Sequence, residues 1–230
     1  MLLDFDLVHK KYNMNITGVI HIGGHHGQEY KTYKKYNMNI TGVIHIGGHH
    51  GQEYKTYKKY SSIKKMVFFE PDPDSYKILE SVTLGDDSVT LVKTALGSFS
   101  CKASMNKETA NNGQSNSLLE PGLHLQQYPN ITFNDKYEVI VHPLDKYTPN
   151  SSLNLINIDV QGFELQVFLG ATNTLNNIDY IFTEVNNAEV YKNCALIEDL
   201  DYFLGKYKFK RVETTWDGVT WGDALYIKDK

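Results

Sequence analysis

Short apolar runs punctuate this chain, and most of them stop at a polar or charged residue just before a turn. Val43, Ile44 and Ile46 lead into a turn marked by Gly47, Gly48 and Gly51, after which a helix can start at Gln52 and Glu53. Met66 to Phe69 reads as a buried strand ending in Glu70, and Pro71, Asp72 and Pro73 then open a helix carrying Tyr76, Ile78 and Leu79. Further strands are expected at Val89 to Val92, at Glu138 to Val141, at Leu153 to Ile158 with Asp159 at its end, and at Tyr180 to Phe182 followed by Thr183 and Glu184. Helical spacing groups Phe163, Val167 and Phe168 within Gly162 to Ala171, and Leu196, Leu200, Phe203 and Leu204 within Ala195 to Leu204. Strands at Phe209 to Glu213 and Ala224 to Ile227 complete the pattern. Strands alternating with helices predict an α/β fold in which a mostly parallel central sheet is covered by helices on both faces.

Two features interrupt this rhythm. From Cys101 to Ile131 the chain is rich in Asn, Ser and Gly, most of all over Asn111 to Ser117, and reads as a long functional loop. The second feature is a 24-residue block, YNMNITGVIHIGGHHGQEYKTYKK, written at 12–35 and repeated without change at 36–59. Two identical units fit a tandem duplication better than a solenoid, which needs at least three similar units. With one copy set aside the remaining length suits a single domain. The expectation is that copy 36–59 enters the sheet, since it leads straight into the strand ending at Glu70, and that 12–35 is surplus. Looping out the second copy instead would cost on the order of 3 kcal/mol, although burial of Leu2, Leu3, Phe5 and Leu7 beside the first copy could offset it.

The polar residues at strand ends carry the chemistry. In an open α/β sheet the ligand crevice lies outside the carboxyl ends of the strands, so His45 and the glycines, Glu70, Asp159 and Glu184 converge on one place. Glycines before a helix N-terminus let backbone N–H groups approach an anionic or carboxylate-bearing ligand. Glu70 lies 19 residues beyond Gly51, the interval at which an acid accepts hydrogen bonds from ribose hydroxyls. The turn itself reads His45-x-Gly47-x-His49-x-Gly51, not Gly-x-Gly-x-x-Gly, which points from dehydrogenases toward methyltransferases.

Charge and composition narrow the partners. A net charge of −4 argues against a nucleic-acid sleeve, and no stretch has the length of a membrane span, so a soluble, cytoplasmic protein is expected. The two cysteines, Cys101 and Cys194, are too few for a disulfide framework or a zinc site. Adjacent histidines at His49-His50 and His25-His26 point different ways, and no metal site is assigned. A divalent ion held by Asp159 and Glu184 is an alternative that is not favoured.

The segments GVIHIGGHHGQEY, FFEPDP, NNGQSNSLLEPG, LINIDVQGFELQVFLGA, IDYIFTEVN, CALIEDLDYFL and WGDALY together resemble the FkbM family of methyltransferases, in order, from Thr41 to the end. The most specific part is Ile158-Asp-Val-Gln-Gly-Phe-Glu164, which is similar to the family's Asp-Val-Glu-Gly-x-Glu signature with Gln161 in place of the usual acid. The resemblance implies a Rossmann-like fold and S-adenosylmethionine-dependent transfer of a methyl group to a hydroxyl oxygen on a sugar, glycan or similar small acceptor. It implies that Gly47, Gly48, His49 and Gly51 line the methionine end of the cofactor, that Glu70 holds its ribose, and that Asp159 lies between cofactor and acceptor. His45 stands where the family usually has an acid, so Glu53 or Asp159 would take over the cofactor's amino group.

A sugar hydroxyl is a weak nucleophile, so a base beside it matters. Asp159 is the first candidate, with Glu184 and His124 behind it; Glu164 reads as a surface position in the first turn of its helix. The rival functions are a nucleotide-dependent oxidoreductase, and a binding protein that keeps the fold while the duplication disables its site.

Overall fold

The computed structural model describes residues 2–23, 39–59, 62–110, 113–148 and 153–229. Helix α1 (Phe5–Tyr12) begins where the Asp4 carboxylate accepts hydrogen bonds from the N–H groups of Asp6 and Leu7, and ends at Asn13 in the left-handed region. The strands β1 (Val19–Ile22) and β2 (Gly42–Ile46) follow, then the single turn α2 (Tyr54–Tyr57) and β3 (Lys65–Phe69). Helix α3 (Pro73–Thr83) has Asp72 as its N-cap and proline at its first position, as the Pro-Asp-Pro sequence implied. Next come β4 (Val89–Val92), β5 (Ala95–Leu96), β6 (Cys101–Lys107), the turn α4 (His124–Gln127) and β7 (Asp135–His142). The chain continues through β8 (Leu155–Ile158), α5 (Glu164–Leu169), β9 (Tyr180–Asn186), α6 (Ile197–Gly205), β10 (Phe209–Trp216) and β11 (Trp221–Lys228).

Eight strands form the central sheet in the order β10-β11-β9-β8-β1-β2-β3-β4. All neighbours from β9 to β4 are parallel, while β11 is antiparallel to both β9 and β10. This is the expected Rossmann-like α/β architecture. On one face Ile20, Ile44, Ile156 and Ile181 pack with Val167 and Phe168 of α5 and Leu200 and Leu204 of α6. On the other, Val19, Val43, Met66, Leu155 and Phe182 pack with Phe5 and Val8 of α1. Leu7, expected in the core, is 62% exposed, because Phe5 and Val8 define the buried stripe of α1.

Both copies of the repeated block supply a strand, which corrects the expectation that 12–35 hangs outside the sheet. Strands β1 and β2 lie side by side in perfect register, Val19 opposite Val43, Ile20 opposite Ile44, His21 opposite His45 and Ile22 opposite Ile46. The physical reason is burial. Excluding either copy would expose three β-branched side chains, worth roughly 1.5–3 kcal/mol each, and that outweighs the entropy lost in fixing one more four-residue strand. The register follows from the same pattern, since a one-residue slip would exchange the faces of every side chain.

The expected loop Cys101 to Ile131 also proves partly ordered. Its first seven residues form β6, antiparallel to β7 in a second, three-stranded sheet of order β5-β7-β6. Cys101, Ala103 and Met105 alternate with Lys102, Ser104 and Asn106, a half-exposed strand whose polar composition concealed its period.

The repeated block places two histidines in the core. His21 and His45 are 2% and 0% exposed, with ring centroids 4.9 Å apart. His45 Nδ1 meets the Tyr57 hydroxyl at 2.5 Å, but its Nε2 is buried without a partner. Burial lowers the His21 pKa from 6.5 to about 4 and drives His45 well below its ordinary value, helped by the neighbouring His21. A histidine depressed on folding contributes stability that is complete above pH 6.5 and is lost as the pH falls through about 4. The carboxyls of Glu70 and Glu164, raised to about 7, act in the opposite sense over part of that window. The expected result is therefore a difference between two proteins: His21→Val gains about 2–3 kcal/mol relative to the parent between pH 7.5 and 4.5 in urea unfolding. A gap that does not change with pH would mean that the His21 pKa is the same in the folded and unfolded chains.

Candidate active site

The carboxyl ends of β1, β2, β3, β8 and β9 bring polar groups to one edge of the central sheet, but His45, expected among them, is buried in the core against Phe68 and Tyr57, and β1 stands between the Glu70 side and the Asp159 side. After β2, Gly47 adopts a φ of 82° and its N–H donates to the Phe69 carbonyl at 2.8 Å, tying the glycine turn to the end of β3. Glu70, 5% exposed, then accepts hydrogen bonds from the backbone N–H of His49 at 2.7 Å and of Asp72 at 2.7 Å. Burial pushes its carboxyl up to about 7 against these two donors. Gly47, Gly48, His49, Gly51 and Glu70 thus form one unit. Glu53 is buried at the start of α2, and His49 stacks on His50 with ring centroids 3.8 Å apart.

The first copy makes a different junction. Gly23, at a φ of 74°, donates its N–H to the Ile46 carbonyl at 2.5 Å, and a Cβ there would lie 1.3 Å from the Asp159 carbonyl oxygen. Only glycine fits. The rest of that copy's turn, with His25 and His26, lies outside the described residues. The glycine turn of copy 36–59 therefore contacts Glu70, while the glycine of copy 12–35 contacts Asp159, and β1 stands between β2 and β8.

At the ends of β8 and β9 three carboxyl groups converge. One oxygen from each of Asp159, Glu164 and Glu184 lies within 4.8 Å of the others. Gln161, with a left-handed φ of 56°, turns its amide toward them: Nε2 donates to Asp159 Oδ1 at 2.7 Å and approaches Glu184 Oε2 at 3.4 Å. The Tyr191 hydroxyl donates to Gln161 Oε1 at 2.8 Å and Ser117 Oγ donates to the Gln161 carbonyl at 2.8 Å, so the middle segment of the chain fixes this residue. Burial raises the Asp159 carboxyl, and burial with repulsion from Asp159 and Glu164 raises Glu184 well above the carboxylate range.

Glu164 corrects the expectation of a surface position. It is 2% exposed, because its Oε1 turns back to accept the N–H groups of Val160 and Gly162 at 2.9 and 3.3 Å and so closes the loop after β8. The spacing Asp159 to Glu164 in the signature was the available signal. His124 stands one layer away from the carboxyls, 3% exposed, its ring 5.3 Å from that of Tyr191 and its Nδ1 buried without a partner; burial lowers its pKa.

A cavity of about 550 Å³ is lined by Gly162, Phe99, Leu118, Leu119, Val141 and Phe163 and by both cysteines. It is not lined by Gly47, Glu70 or Asp159. Among the described residues no helix is long and apolar enough to cross a membrane.

Residues 45–211 match the profile of the methyltransferase FkbM domain. Over 81 residues the chain is 33% identical to the 2-O-methyltransferase NoeI of Sinorhizobium fredii, a match covering 34% of this chain and 33% of that protein. Thus the match spans about a third of that relative's length. Among solved structures, TrmK of M. capricolum in complex with S-adenosyl-homocysteine aligns over 99% of this chain and 69% of its own, with a TM-score of 0.42 and 9% identity. The ribosomal protein L11 methylase of Lactobacillus delbrueckii aligns over 98% and 78%, with a TM-score of 0.44 and 10% identity.

Proposed function

Because the chain belongs to the FkbM methyltransferase family, we propose that its reaction is S-adenosylmethionine-dependent O-methylation of a hydroxyl on a sugar, glycan or similar small acceptor. The observation that carries this reading is the Asp159–Glu184 pair at the sheet edge, held by Gln161 beside the glycine turns. The name of the Sinorhizobium relative, a 2-O-methyltransferase, supports oxygen as the acceptor atom.

The residues at the edge fit the cofactor. Each Glu70 oxygen accepts one backbone N–H and retains a lone pair for a ribose hydroxyl, while the N–H groups of Gly47, Gly48, His49 and Gly51 are engaged within the fold and hold the turn in shape beside it. When bound, the cofactor supplies a methyl group on a sulfonium sulfur, whose carbon–sulfur bond breaks as the oxygen–carbon bond forms. The chain's own task is alignment of the acceptor oxygen and removal of its proton. Burial and repulsion from neighbouring carboxyls raise both Asp159 and Glu184, and Asp159 takes the proton of the acceptor hydroxyl. Gln161 keeps the receiving oxygen in place. The apolar cavity beside Phe163 suits the part of the acceptor that does not react.

Glu70→Ala is expected to weaken S-adenosylmethionine binding by about tenfold or more in calorimetry, the loss of hydrogen bonds to a charged group, and a labelled-methyl screen over glycans and small glycosides then identifies the acceptor. Binding of a nicotinamide dinucleotide in preference to S-adenosylmethionine would overturn the proposal.

A further inference from the structure

The carboxyl cluster at the ends of β8 and β9 holds more negative charge than its surroundings answer. Asp159, Glu164 and Glu184 approach one another, and the positive group among those acting on them is the chain's amino terminus, on Asp159. Asp223, which repels Asp159 and Glu184, has its own carboxylate engaged by the N–H groups of Leu2 and Leu3. Like charges collected in a buried site need protons or a cation.

A second, independent observation tells these apart. Asn186 lies two residues beyond Glu184 on β9, so by strand alternation its side chain leaves the same face, toward the same mouth of the sheet. It is 1% exposed, and its Oδ1 is buried with no hydrogen-bond partner. An amide oxygen left bare in the interior costs stability unless something accepts its lone pairs. A proton shared between carboxyls does nothing for Asn186, whereas a cation does.

We propose that Asp159, Glu184 and Asn186, with Glu164 behind them, form a binding site for one divalent metal ion of the hard, oxygen-seeking class. The donor set is oxygen throughout, which suits magnesium, manganese or calcium and disfavours zinc. The spacing fits as well. Ligand atoms within 4.8 Å of one another can flank an ion whose bonds to oxygen are about 2.1 to 2.5 Å. At that position the ion neutralises the cluster, and an acceptor hydroxyl bound to it would be more acidic. This last role rests on the O-methylation reading; the ion site itself does not.

The test is direct metal binding by the whole chain. After treatment with a chelator, the protein is titrated with manganese(II) chloride in a calorimeter and by the loss of the free-ion signal in electron paramagnetic resonance. The expected result is one ion per chain, weakened by about 10-fold or more in each of Glu184→Gln and Asn186→Ala, with unchanged circular dichroism. No binding at millimolar manganese or calcium, or binding that neither variant weakens, overturns the site. Should a variant fail to fold, the parent decides: manganese must raise its melting temperature, and no rise counts against the site. S-adenosylhomocysteine titrated into the same samples separates the two ideas. Manganese binding without cofactor binding leaves the ion site and removes the O-methylation reading, and cofactor binding without manganese binding does the reverse.

Discussion

Removing one copy of the repeated block is expected to raise methyl transfer by about 100-fold or more and to tighten cofactor binding. Because the copies are identical, deletion of 12–35 and deletion of 36–59 give the same molecule, so the experiment has no wrong choice. In the 230-residue chain β1 separates β2 from β8, and with it the Glu70 turn from Asp159. One strand adds about 4.8 Å to that distance, and displacements near 1 Å can cost about 100-fold in rate. After deletion the single VIHI strand has β8 on one side and β3 on the other, since the pairings of β1 with β8 and of β2 with β3 use the same residues of the block. One glycine turn then meets both Glu70 and Asp159. Stability should change less than activity, because the lost strand takes its buried isoleucines with it but also removes the His21–His45 contact. Cofactor affinity and labelled-methyl transfer, measured side by side on the two lengths, check this. Equal activities would mean that the site tolerates the wider sheet and that the cofactor bridges the two turns.

The sequence made the edge of the site legible because buried strands end in residues that have no place inside them. Glu70 and Asp159 are two such stops, directly after β3 and β8, whereas Glu184 lies inside β9. What it did not make legible depended on contacts distant in the chain. Glu164 looked like an ordinary first-turn acid until the loop after β8 folded back on it. Asn186 was hidden because the strand read as ending at Phe182, with Thr183 and Glu184 as its polar end, whereas β9 continues, fully buried, to Asn186. The same blindness affected the repeat. Treating the fold as having one place for each motif ignored that a parallel sheet can widen by one strand wherever an apolar run and a long enough crossover are supplied.

Asp159→Asn is expected to lower turnover by about 10²- to 10⁴-fold, the range of a lost general base, while S-adenosylhomocysteine affinity changes by less than about tenfold. Asparagine is nearly the same shape and its Oδ1 can still accept the Gln161 amide, so the loop from Val160 to Glu164 keeps its geometry. What disappears is the only one of the three carboxyls that is not fully buried, and hence the one an acceptor reaches first. The fold should not suffer. Replacing one member of a buried group of like charges relieves the repulsion that raises Glu184, so the melting temperature is expected to hold or rise while activity falls. That opposition makes the experiment decisive, because a merely structural role for Asp159 predicts both quantities falling together. Retention of activity within about tenfold would move the base to Glu184, and Glu184→Gln would then have to show the larger loss.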